Sequence, residues 1–186
     1  MRKLIVFNHV TLDGYFAGAN GDFSWARMGN DDAEYQAWVT ENSQGDSQFL
    51  FGRVTYDLMS GYWPTPMANQ HDPIVAQRMN AAPKIVFSTT LNEALWNNTK
   101  LVKGNLIEEI GKMKESPGPA MLIFGSGTII AQLAPHNLID EYQMVIDPVA
   151  LGKGKTMFEG MQQMLNLKLA KSRIFNNGKI FLSFEA

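Results

Sequence analysis

The sequence predicts an α/β fold: a mostly parallel central sheet with helices on both faces and an antiparallel C-terminal hairpin. Three observations predict it. Short apolar runs, such as Phe49-Leu50-Phe51 and Met121 to Phe124, alternate with longer segments of helical periodicity. Glycine-bearing turns, Gly52-Arg53 and Gly125-Ser126-Gly127, stand where a run ends and a helical segment opens. In the last third the pattern becomes alternating, and Asn177-Gly178 supplies a hairpin turn.

Composition narrows the class. A chain of 186 residues with 45% hydrophobic and 18% charged residues reads as one globular domain, spanning 1–186, with a substantial core. A formal net charge of -2 gives no global attraction to nucleic acid or membrane, and the basic residues form no stripe. No segment approaches the roughly 20 apolar residues that span a bilayer. The absence of cysteine excludes disulfides, thiolate metal sites and a cysteine nucleophile, and fits a cytoplasmic location.

Lys3 to Phe7 reads as a first, central strand. The following loop, Thr11-Leu12-Asp13-Gly14-Tyr15-Phe16 and on to Trp25, is punctuated by glycine and carries large aromatics. Phe16, Phe23 and Trp25 are expected to turn inward, against core or ligand. Asp31-x-x-Glu34 matches a capping box, with Tyr35, Trp38 and Val39 on the buried face of the helix it opens. Phe49 to Phe51 forms a second strand, and Gly52-Arg53-Val54-Thr55 leads from it into a helix. Arginine brings a planar fork of donors suited to phosphate, and threonine adds a hydroxyl in the first turn.

Asp72-Pro73 starts a further helix. Lys84 to Phe87 is a third strand ending in Ser88 and Thr89, hydroxyls that either meet a ligand beyond the sheet or cap a short helix beginning near Asn92. Asn105-x-x-Glu108 opens another helix, and Met121 to Phe124 runs into Gly125-Ser126-Gly127-Thr128. A strand, a side-chain-poor turn and a helix N-terminus together can receive phosphate, although a glycine turn alone is equally an ordinary tight turn. Two such junctions suit the extended phosphates of a dinucleotide better than one.

Other patterns lead nowhere. Gly152-Lys153-Gly154-Lys155-Thr156 ends like a phosphate-binding loop, but Val149 stands where that motif needs glycine. His9, His71 and His136 show no metal spacing and read as surface or loop residues, so no metal site is expected.

Taken together, Thr11-Leu12-Asp13-Gly14, Gly52-Arg53-Val54-Thr55-Tyr56, Val86-Phe87-Ser88 and Phe124-Gly125-Ser126-Gly127 resemble the dihydrofolate-reductase-like family. The likeness is to the branch containing the C-terminal reductase domain of the riboflavin-biosynthesis deaminase/reductase. Leu138 to Glu141 and Pro148 to Gly154 match in the same order, so the likeness spans nearly the whole chain. It implies an NADPH-dependent reductase acting on a small heterocyclic (pterin- or pyrimidine-like) or carbonyl substrate. Gly52, Arg53, Thr55, Ser88, Thr89, Gly125, Ser126, Gly127 and Thr128 would meet the cofactor. Asp13 and Asp32 are the catalytic candidates, and Phe16 and Trp25 lie on the substrate side.

Two departures stand out. Thr89 occupies a place that is often basic in folate reductases, which leaves NADPH against NADH open. The acidic residues near the first helix, Asp31, Asp32 and Glu34, sit at its start, whereas folate reductases keep a buried carboxylate within it. The alternative is therefore a non-catalytic nucleotide-binding or dimeric interaction protein that retains the fold. The riboflavin-pathway relatives also imply a homodimer.

Overall fold

The computed structural model describes all 186 residues. Its strands are β1 (Leu4–Thr11), β2 (Ala17–Gly18), β3 (Ser47–Gly52), β4 (Lys84–Phe87), β5 (Thr99–Val102), β6 (Ala120–Phe124), β7 (Glu141–Asp147), β8 (Gly154–Lys155), β9 (Lys168–Ile174) and β10 (Ile180–Glu185). The helices are α1 (Ala33–Ser43), α2 (Arg53–Tyr62), α3 (Pro66–His71), α4 (Pro73–Ala81), α5 (Leu106–Glu115) and α6 (Gly127–Leu133). One sheet runs in the order β5-β4-β3-β6-β1-β7-β10-β9, and β2 pairs with β8 above it.

The expected parallel sheet with an antiparallel C-terminal pair is what forms. β1 lies between β6 and β7, parallel to both, and β10 runs antiparallel to β7 and β9. Leu4, Val6, Leu50, Met121 and Ile123 are fully buried at its centre. Removing each such side chain from water contributes roughly 1.5–3 kcal/mol.

Direction of winding sorts the helices. From β1 the chain steps to β3, β4 and β5 on one side of the sheet order, then returns to β6 and β7. Right-handed crossovers then put helices from the two journeys on opposite faces. The packing agrees. Tyr35 and Trp38 of α1 lie with Val145 and Phe181, and Tyr56 of α2 and Met79 of α4 with Phe49 and Phe51. On the other face, Ile110 of α5 and Ile129, Ile130 and Leu133 of α6 join Leu4 and Val6. β6 is therefore the switch point: its helix leaves on one face while those of its neighbours β1 and β3 leave on the other. A ligand crevice opens at the carboxyl ends of strands in such a place.

Several local expectations need correction. The cap of α1 is Asp32, whose Oδ1 accepts from the Tyr35 N–H at 2.8 Å, one position later than the Asp31 pattern predicts. No helix begins near Asn92. That segment is held instead by Trp96, whose indole N–H donates to Asn80 and whose backbone N–H donates to the Tyr56 hydroxyl. The short strand β5 then pairs with β4, an element the sequence does not announce. In β7, Tyr142 and Val145 are both buried because both faces are covered there, so simple alternation fails.

Candidate functional site

The two glycine junctions lie side by side at the β6 switch point and are bonded to each other. The Gly52 N–H donates to Ser126 Oγ at 2.7 Å, and the Ser126 N–H and Oγ–H donate to Thr55 Oγ1 at 3.1 and 3.0 Å. From the other flank, Asn8 Oδ1 of β1 accepts the Gly125 N–H at 2.7 Å. The ends of β3 and β6 and the middle of β1 are thus fastened around one turn. Glycine is required at 125 for two reasons: its φ is +57°, and a Cβ there would lie 3.1 Å from Thr55 Oγ1. Ser126 also sits in the left-handed region, at φ 58°, a conformation that costs a non-glycine residue about 1–2 kcal/mol.

Capping separates these helices from the rest. Asp32, Thr65 and Asn105 cap α1, α3 and α5 with side-chain acceptors, and α4, which has no side-chain cap, starts on Pro73 and so has one N–H fewer to satisfy. Neither α2 nor α6 has a side-chain cap. The N–H groups at the first two positions of each helix have no intrahelical acceptor, whereas the Ile129 N–H of α6 already donates to the Ser126 carbonyl at 2.8 Å. Arg53 stands at the first position of α2, where its Nε donates to Asp57 at 2.6 Å and the rest of the guanidinium fork stays available. Thr55 Oγ1 accepts two hydrogen bonds, which leaves its own proton to donate outward. Uncapped amides, a cation and hydroxyls form a donor set that fits an anionic, phosphate-bearing group.

The remaining expected cofactor residues are less uniform. Ser88 Oγ accepts from the Thr90 and Leu91 N–H groups at 3.2 and 3.0 Å, so it folds the turn after β4. Thr89 beside it is exposed, as is Thr128 in the first turn of α6. Gly127 is needed for close packing. A Cβ there would lie 3.0 Å from both the Phe16 ring and the Thr156 carbonyl. Phe16 therefore rests on the glycine turn, bringing the first loop to the junctions.

The two catalytic candidates have structural duties. The Asp13 carboxylate accepts from Thr11 Oγ1 at 2.5 Å, from the Gly152 N–H at 2.7 Å and from the Leu151 N–H at 3.0 Å. These bonds, that of Thr11 first, hold its pKa below the usual carboxylate value. It is an exposed, ionised clasp between the first loop and the segment before β8, which does not suit a proton donor. Asp32 is accounted for as the cap of α1. Trp25 is buried in a short 3-10 turn, and its indole N–H has no partner, nor does the buried Tyr62 hydroxyl. The Arg27 guanidinium stacks 4.2 Å over the Tyr62 ring, joining that turn to the end of α2.

One cluster escapes the sequence reading. His9, expected on the surface, lies in β1 with Nδ1 2.7 Å from Asp147 Oδ2 and Nε2 3.3 Å from the Tyr35 hydroxyl. The fully buried Lys179 pairs with Asp147 and donates to the Ala26 carbonyl at 2.9 Å. Burial, reinforced by the charges of Asp147 and Asp72, pushes the Tyr35 hydroxyl well above its ordinary value. A charged residue at an inward place of an apolar strand is the sequence signal that marks Asp147.

Comparison with known proteins follows the same lines. The chain is 32% identical over 179 residues to the uncharacterized protein YyaP of Bacillus subtilis (strain 168), covering 96% of this chain and 92% of that one. It is similar to a crystal structure from Shewanella sp. PV-4 named for riboflavin biosynthesis, with a TM-score of 0.71, 25% identity and 98% of each chain covered. It shares the fold of Enterococcus faecalis dihydrofolate reductase, crystallised with NADP(H) and RAB-propyl, at a TM-score of 0.63 and 13% identity over 98% of this chain and 95% of that one. The model of the RibD C-terminal domain matches residues 2–181. With nearly every strand and helix inside that match, this dihydrofolate-reductase-like chain belongs to the RibD C-terminal domain family.

Proposed function

We propose that this protein is an NADPH-dependent reductase transferring hydride to a small pterin- or pyrimidine-like heterocycle or to a carbonyl substrate. The observation that carries the reading is the pair of uncapped helix N-termini, α2 and α6, fastened together at the β6 switch point with Arg53 beside them. Membership of a family named for a reductase-bearing riboflavin enzyme supports it.

The roles follow from what each group offers. Arg53, the first-turn amides of α2 and α6, and the hydroxyls of Thr55 and Thr128 would hold the cofactor phosphates. Thr89, in the turn after β4, would lie toward the adenosine end. A bound nicotinamide cofactor supplies the hydride; the chain supplies position and electrostatics. Phe16, packed on the glycine turn, and the clasp made by Asp13 fix the first loop beside the junctions, where it would shield the cofactor from water.

Calorimetric titration with NADPH, then NADH, tests this reading. The wild-type protein should bind NADPH. Arg53→Ala should weaken binding about tenfold, the worth of one charge-assisted contact. Folding should change little, because Arg53 pairs only with its own helix through an exposed i,i+4 bridge. A folded protein that binds neither cofactor would refute the reductase assignment.

A further inference from the structure

We propose that His9 is the proton donor of this site, with Asp147 and Lys179 as the residues that position it; the inference rests on the reductase reading above. β6 ends at Phe124, opposite Phe7, while β1 continues to Thr11 along β7 alone. His9 therefore stands beyond the end of β6, one residue after Asn8, which holds the Gly125 amide. Phe7, two residues earlier and on the same face, packs against Trp38 of α1. His9 thus lies on the α1 side of the crevice. Its side chain keeps 24% of its surface exposed, whereas Tyr35, Asp147 and Lys179 keep 1% or less. Of the four, only His9 can touch a ligand.

The surroundings fix its chemistry. The carboxylate of Asp147 accepts the Nδ1–H, so the neutral ring has Nε2 as its free acceptor, toward the Tyr35 hydroxyl at 3.3 Å. That contact is long for an O–H···N bond and readily exchanged for a substrate atom. Lys179 balances the charge of Asp147 from the opposite side. The titratable or charged groups meeting His9 and its partners are Asp147 of β7, Lys179 before β10 and Tyr35 of α1. Asp72, ahead of α4, acts on the same tyrosine. From β1 itself the ring meets only the edge of Phe7, at 6.0 Å between centroids.

The step balances as follows. A bound nicotinamide cofactor would supply hydride to the carbon of a C=N or C=O group, and the π pair of that group would move to its nitrogen or oxygen. That atom takes the proton from Nε2 of the His9 imidazolium. The products are the reduced substrate, NADP+ and neutral imidazole, which regains a proton from solvent at its exposed edge.

The test is a pH titration of the histidine ring resonances by NMR in the intact protein, with His9→Gln used to assign the His9 signals. Spectra are taken alone, with saturating NADPH and with saturating NADP+. The two cofactors carry the same phosphates and differ by the positive charge on the nicotinamide ring. His9 should titrate at a pH about half a unit or more lower with NADP+ than with NADPH, since a nearby cation disfavours the imidazolium. His71 and His136 should titrate alike with both. The neutral His9 ring should carry its proton on Nδ1. If both cofactors bind and His9 titrates identically with each, or if the neutral ring is protonated on Nε2, the proposal is overturned while the reductase reading stands. If neither cofactor binds, the reading beneath it falls, and this proposal with it.

Discussion

Lys84 opens an apolar strand yet is 1% exposed, with its ammonium donating to the carbonyls of Met79, Asn80 and Ala82 and lying 4.6 Å over the Trp96 ring. It closes the C-terminal end of α4, where carbonyls lack partners and a cation is favoured. Burial, then the charge of Arg78, lowers its pKa from 10.5 to about 8. Between those two values the unfolded chain binds more protons here than the native one, so this residue's contribution to stability rises with pH. Tyr35 and Tyr142 act in the opposite sense. Burial raises both, Tyr142 to about 12, so above about pH 10 the unfolded chain ionises first and stability falls. Urea midpoints measured from pH 7.5 to 11 should climb to a maximum near pH 10 and then drop. The rise should amount to something on the order of 2 kcal/mol. Lys84→Met should flatten the rise and spare the fall; an unchanged rise in that variant would remove Lys84 as its source.

At the scale of elements, the coupling between α2 and α6 rests on two hydroxyls. Thr55→Val keeps the shape but takes away the acceptor of the Ser126 N–H and Oγ–H. We expect a loss of about 1–3 kcal/mol in unfolding free energy, the cost of stranding buried donors. NADPH affinity should fall in parallel as the two helix ends drift apart. Calorimetry and denaturant titration on one variant check both, and a stable Thr55→Val protein with full affinity would show that the junctions hold without this bond. The junctions themselves are legible in the sequence, because glycine, arginine and threonine at strand ends announce backbone turns locally. The proline start of α4 and the Asn105 cap of α5 are legible for the same reason. What binds the junctions together is not, since Gly52 and Ser126 are 74 positions apart and only the sheet order makes them neighbours. The cluster of His9, Asp147 and Lys179 is hidden in the same way: the three lie far apart in the sequence, and their meaning comes from pairing β7 with β1 on one side and with β10 on the other. Asp13 misleads for the converse reason. Its place in a glycine loop suggests chemistry, while its partners Leu151 and Gly152 lie far along the chain.

For the whole molecule, the exposed sheet edge bears on association. No helix is long and apolar enough to cross a membrane. β9, the last strand of the sheet, is exposed along its whole length, with Leu169 and Ile174 at 53% and 74%. Lys168, Lys171 and Arg173 on the same strand discourage indiscriminate edge pairing. We expect a homodimer that covers the β9–β10 face, and light scattering giving a mass of 20.8 kDa would reject it. The central position of β1 has another consequence, in time. β1 leaves the ribosome well before its neighbours β6 and β7, with Leu4 paired to Met121 and Ile5 to Glu141. At synthesis rates of about 5–20 residues per second, that strand waits on the order of ten seconds for the segments that flank it. During that interval Leu-Ile-Val-Phe is an unpaired, aggregation-prone ribbon, so the yield of folded protein in a cell depends on how well nascent chains are shielded until their last third emerges.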